Sequence, residues 1–211
     1  MSLRKISLLS LALISLAAAA AAGPDVRVVP VPTAPVEETA PDVFRVDFET
    51  SRGPVIIEIT RAQAPHGADR FFSLVKAKYF DGARFYRVVP DFVVQWGSAA
   101  DPAISQAWDR RPIPDDPVKA TNSRGTITFA QVGEPNSRTT QMFINFVDNR
   151  GLDGMGFAPL GRVVSGMQFV DQIYSGDGEK PDQGLIMEQG NAYLQKAFPH
   201  LDYIVTARLA Q

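Results

Sequence analysis

Phe85-Tyr86-Arg87-Val88-Val89-Pro90-Asp91-Phe92-Val93-Val94-Gln95-Trp96-Gly97 is the stretch on which the fold turns. Two largely apolar runs, 85–89 and 92–96, flank Pro90-Asp91, the composition of a strand, a tight turn and a returning strand. A guanidinium stands in the first run and a carboxamide in the second, and alternation alone does not align them. A two-residue turn would set Arg87 against Val94 and send Gln95 to the other face. A three-residue connection over Pro90-Asp91-Phe92 sets Arg87 opposite Gln95, and this register is the expected one.

Outward from this hairpin, residues 43–48 and 54–59 read as a second hairpin around Ser51-Arg52-Gly53. Residues 65–78 have the spacing of a helix with Phe71, Phe72, Leu74 and Val75 on its buried side, Asp69 near its start and Gly67 weakening the first turn. The polar, proline-rich interval 97–122 reads as an insertion with a short helix at 99–108. Later strands are expected at 125–131, 141–146, 159–164 and 203–209. A short helix start follows at 166–173, then a Gly/Asp/Lys/Pro loop at 175–184 and a second longer helix at 185–198. Short strands without regular strand-helix alternation argue against a doubly wound nucleotide fold. They point to a mainly β chain, a closed antiparallel barrel capped by two main helices, which also protects its strand edges.

Composition narrows the chemistry. The 211 residues include no Cys and two His, with 21 Lys and Arg against 23 Asp and Glu. Disulfides, thiolate metal sites, cysteine nucleophiles and thiol-anchored lipids are excluded. The charge balance, and the Asp109, Asp115 and Asp116 carboxylates around Arg110-Arg111, give no nucleic-acid patch. His66 and His200 are isolated and read as structural or surface residues. Gly-x-Ser-x-Gly is absent, and the glycines of 151–156 lack both dinucleotide and phosphate-loop spacing. No metal and no cofactor is expected.

Arg4 and Lys5 precede an uncharged stretch, 6–22, that ends in small residues, the pattern of a cleaved secretory signal over 1–22. Residues 23–42 carry five prolines and read as an extended tether, leaving 43–211 as one domain. The mature protein is therefore expected to be periplasmic or secreted, with no stable membrane span after cleavage.

The 85–95 block, together with Gly125-Thr126-Ile127-Thr128-Phe129-Ala130-Gln131, Pro135-Asn136-Ser137-Arg138-Thr139-Thr140-Gln141-Met142-Phe143-Ile144 and Leu160-Gly161-Arg162-Val163-Val164-Ser165-Gly166-Met167, closely resembles the cyclophilin family of peptidyl-prolyl isomerases, especially its exported bacterial members. The resemblance runs from residue 43 through 205 and implies an eight-stranded cyclophilin-like barrel. It makes Arg87 the catalytic arginine, groups with it the pocket aromatic Phe92 and the neighbouring polar contact Gln95 as the catalytic set, and makes Val93 a substrate-binding pocket residue. Ala130 and Gln131 match the segment that meets the substrate backbone. Gln141 matches a polar contact, Phe143 the floor of the proline pocket and Leu152 its aliphatic wall.

Three positions depart from the family pattern. Tyr86 stands where His is frequent, and Phe157, taken with the substrate-binding residues, lies near a pocket-flanking position commonly held by another His. Gly151 replaces the Trp of many eukaryotic members, which argues against tight binding of cyclosporin-like cyclic peptides. The implied activity is cis/trans isomerisation before proline without a covalent intermediate. The expected partners are proline-containing unfolded or exported polypeptides, and the expected state is a monomer. A non-catalytic proline-peptide binding or chaperone module is the alternative.

Overall fold

The computed structural model describes residues 37–210. The expected signal, 1–22, and residues 23–36 of the expected tether lie outside the described residues.

Strands β1 (Val43–Thr50) and β2 (Gly53–Thr60) form the first hairpin, with Thr50 opposite Gly53. The Thr50 hydroxyl fixes the turn by accepting from the Arg52 and Gly53 amides. Strict alternation in β1 turns Phe44, Val46 and Phe48 inward. Helix α1 (Pro65–Lys76) packs its Phe71, Leu74 and Val75 face into the same core. Its N-terminus has no cap from Ala64; Asp116, fifty residues onward, accepts instead from the His66 amide at 3.1 Å and the Gly67 amide at 2.8 Å.

The remaining elements are β3 (Arg87–Val89), β4 (Val93–Trp96), α2 (Pro102–Asp109), β5 (Thr126–Phe129), β6 (Met142–Asn145), a 3₁₀ turn (Arg150–Met155), β7 (Pro159–Ser165), α3 (Met167–Val170), α4 (Gln183–Gln189), α5 (Asn191–Ala197) and β8 (Ile204–Leu209). Among the described residues the strands make one eight-stranded antiparallel sheet in the order β3-β4-β6-β5-β7-β2-β1-β8. The sheet curls until its ends meet: Arg84 bridges Tyr203, and the Phe85 and Ile204 amides donate to Asp202 and Ala83. Phe48, Phe80, Phe85 and Trp96 fill the interior, with ring centroids about Trp96 at 5.8–6.4 Å. No described helix is long and apolar enough to cross a membrane.

Two features differ from the sequence expectations. The helix expected at 185–198 is two helices broken at Gly190, whose φ of +56° favours glycine and where a Cβ would come within 2.7 Å of the Ala100 carbonyl. The last part of the expected tether is docked against α1: Glu37 pairs with Arg70, Glu38 with Lys76, and the Ala40 amide donates to Asp69.

The 97–122 insertion is pinned by Arg70, whose side chain is 2% exposed. Its guanidinium donates to the Thr139 and Arg111 carbonyls at 2.7 and 2.6 Å and lies over the Trp108 ring. Ile186 of α4, Leu194 of α5 and Leu201 beyond it make a separate apolar cluster that receives the Tyr86 ring.

Candidate active site

The β3–β4 pairing has the three-residue connection, with Arg87 opposite Gln95, Val88 opposite Val94 and Val89 opposite Val93. Pro90 occupies the second corner and Asp91, with φ +58°, the third; the Phe92 amide closes the turn on the Val89 carbonyl at 3.1 Å. On the next strand Gln95 faces Phe143. Arg87, Gln95 and Phe143 thus form one cross-strand row. Val88, Val94 and Ile144, on the opposite faces of these strands, belong to the barrel core. The row therefore lies on the outside of the barrel.

Phe143, Val93 and Leu152 are buried beneath this surface, and Phe92, Ala130 and Phe157 pack against them. The Phe143 and Phe157 rings meet edge to face at 5.7 Å. Leu152 and Phe157 are held by buried Asn122, which donates to the Asp153 carboxylate and the Phe157 carbonyl at 2.8 Å. Asn149 likewise anchors the Phe92 carbonyl at 2.9 Å. The apolar floor is therefore braced from behind by amide side chains.

Beside the apolar floor runs a polar edge. Arg87 Nη1 donates to Gln95 Oε1 at 3.1 Å, while Gln95 Nε2 donates to Gln141 Oε1 at 3.0 Å and to the Tyr86 hydroxyl at 3.3 Å. Tyr86 in turn donates to Gln141 Oε1 at 2.7 Å. Burial pushes the Tyr86 phenol well above its usual pKa, so it remains a donor at neutral pH. Gly97 permits this closeness: a Cβ there would come within 2.4 Å of the Thr140 carbonyl and the Gln141 Cα. The Arg87 guanidinium also lies 5.9 Å from the Phe92 ring centroid and donates through Nε to Glu179 at 2.7 Å.

All ten residues singled out from the sequence, Arg87, Phe92, Val93, Gln95, Ala130, Gln131, Gln141, Phe143, Leu152 and Phe157, line one cavity of about 430 Å³. Sequence reasoning missed Glu179 and Gln183, from the 175–184 stretch, and Asp109, Val132, Ser137 and Thr139 on the same cavity. It also missed the part Tyr86 takes in the amide edge. A polar tip on a residue in an otherwise largely apolar run, next to Arg87, was the one available signal for Tyr86, and none marked Glu179 within its loop.

Residues 45–190 match the model of the cyclophilin-type peptidyl-prolyl cis-trans isomerase family. The chain belongs to this family. The cyclophilin is 35% identical over 133 residues to a peptidyl-prolyl cis-trans isomerase of Acinetobacter baylyi, covering 61% of this chain and 70% of the relative. It is 32% identical over 136 residues to peptidyl-prolyl cis-trans isomerase B of Escherichia coli, covering 61% and 82%. In fold it resembles a Cryptosporidium parvum cyclophilin-type isomerase, with a TM-score of 0.61, 19% identity and coverage of 80% of this chain and 98% of that one. A cyclophilin from Hirschia baltica gives 0.60, with 18% identity over 81% and 75%.

Proposed function

We propose that this cyclophilin accelerates rotation about peptide bonds preceding proline by stabilising the twisted imide, with Arg87 as the electrostatic catalyst. A planar imide resists rotation by about 18–20 kcal/mol because twisting destroys conjugation. As conjugation is lost, the proline nitrogen regains lone-pair character. A guanidinium donor directed at that nitrogen binds the twisted state more strongly than the planar one, which lowers the barrier without a covalent intermediate.

One observation carries this reading: a partly exposed guanidinium, 26% accessible, borders a pocket floored by buried Val93, Phe143 and Leu152. Phe92 and Phe157 complete an apolar enclosure suited to the proline ring. Gln141 Oε1 is occupied by Tyr86 and Gln95, so its Nε2 hydrogens serve as donors to a peptide carbonyl. Ala130 and Gln131 restrain the backbone on one side of the rotating bond, and the other side turns.

The uncharged stretch 6–22 behind Arg4-Lys5 supports export, and thus action on proline-containing chains in the periplasm or outside the cell. Exchange spectroscopy on a short prolyl peptide tests the catalytic reading. Wild-type protein should accelerate exchange, and Arg87→Ala should lower kcat/KM about a hundredfold without unfolding the chain. Binding without acceleration would mark a non-catalytic module instead. Expression of the full chain tests export, which requires loss of about 22 residues from the recovered extracytoplasmic protein.

A further inference from the structure

The charge of the groove does not follow from Arg87 alone. Three charged side chains line it: Arg87, Asp109 and Glu179. Glu179 Oε1 accepts from Arg87 Nε at 2.7 Å and lies 2.6 Å from Nη2, so one carboxylate oxygen holds an edge of the guanidinium. Gln95 takes one Nη1 hydrogen. Three of the five guanidinium hydrogens are thereby engaged, and two remain for a substrate. Glu179 thus offsets the cation's charge while leaving it donors.

Asp109 adds a second carboxylate. It ends α2, where the backbone carbonyls give the same sign of potential, and its Oδ1 accepts from the pocket residue Thr139 at 3.2 Å. The two carboxylates sit on packed elements, since Gln106 of α2 donates to the Met187 carbonyl of α4, which follows the Glu179 loop. Glu179 remains 61% exposed and Asp109 is exposed, so both carboxylates are open to an incoming peptide. One cation against two carboxylates leaves the groove negative.

From this arrangement we propose that Glu179 and Asp109 make the enzyme selective for prolyl peptides bearing a lysine or arginine beside the proline, and disfavour acidic ones. The proposal rests on the pocket turning over prolyl bonds. Charge pairs at a solvated rim are individually weak, so the expected selectivity is modest and salt-sensitive.

The test is kcat/KM by exchange spectroscopy on peptides with Lys, Ala or Glu immediately before proline, and on a second series with the same residues immediately after it. Wild type, Glu179→Gln, Asp109→Asn and the double variant are compared, with thermal unfolding confirming that each is folded. In at least one series, wild type should favour Lys over Glu about fivefold at low salt. The ratio should shrink in each single variant and approach one in the double variant and at about 0.5 M salt. Acceleration with equal Lys and Glu rates in both series would overturn the selectivity and leave the catalytic reading standing, as would a preference that persists in the folded double variant. Failure to accelerate even the Ala peptides would remove the catalytic reading, and this proposal with it.

Discussion

The β3–β4 hairpin and the segment 175–201 border the same groove by different physical means. In the hairpin a three-residue turn fixes the register, and period-two alternation sends Arg87 and Gln95 outward and Val88 and Val94 into the barrel. The later segment has no strand ladder of its own. It is held by the small cluster of Ile186, Leu194 and Leu201, by the Val88 amide donating to the Gly178 carbonyl at 3.1 Å, and by Glu179 on Arg87. The proposed catalytic groups therefore rest on the sheet, while charge and shape at the rim rest on an element held by a small apolar cluster and a few hydrogen bonds to its neighbours. Tyr86 joins the two, with its ring in the helical cluster and its hydroxyl on the amide edge.

Breaking this comparison begins with the 97–122 insertion, which Arg70 pins. Arg70→Ala removes donors from the Thr139 and Arg111 carbonyls and should lower stability by about 4 kcal/mol in urea unfolding. Next, Leu194→Ala should cost about 3 kcal/mol within the helical cluster. Hydrogen exchange should then show early opening of 183–201 with protection retained in β1, β2 and β8, whereas Val94→Ala should weaken protection across the barrel. Equal losses everywhere in Leu194→Ala would mean that the two regions unfold as one.

Tyr86→Phe sharpens the link between them. It keeps the ring in its cluster but removes one donor from Gln141 and one acceptor from Gln95, so kcat/KM should fall about fivefold with little change in Tm. Acid should have the smallest and most diffuse effect. Burial opposes ionisation of Asp69 and Asp81, but the hydrogen bonds from Arg61 and the Ala40 amide, and from Arg208 and the Ala207 amide, together with the charge of each arginine, outweigh it and hold both below the ordinary 3.8. Their stabilisation is complete above that value and is lost as pH falls through the lower folded-state values. Tm should therefore begin to decline below about pH 4, and Asp81→Asn should flatten that decline.

Much of this was legible because it is local. The Arg87–Gln95 register follows from one turn length, and the match of 85–95, 125–131 and 135–144 to the family pattern brought Phe92, Val93, Gln141 and Phe143 to the same surface. What sequence could not give is non-local. Nothing in the Gly/Asp/Lys/Pro composition around Glu179 states that it meets a guanidinium 92 residues earlier. The apolar spacing of 185–198 favours a single helix, and only the contact of Gly190 with Ala100 and Pro102 explains the break. Asp116 capping α1 is another such case, since neither end carries a local signal for the other.

The central claim is that Arg87, held by a row of neighbouring strands, lowers the energy of the twisted imide. Nuclear magnetic resonance exchange on a panel of prolyl peptides, with wild type and Arg87→Lys compared at equal folded concentration, tests it most directly. Lysine keeps the charge but loses the planar, oriented donors, so the account predicts strong acceleration by wild type and a loss of at least tenfold in the variant. Exchange rates that match the uncatalysed peptides in both, or that are equal for the two proteins, would contradict it.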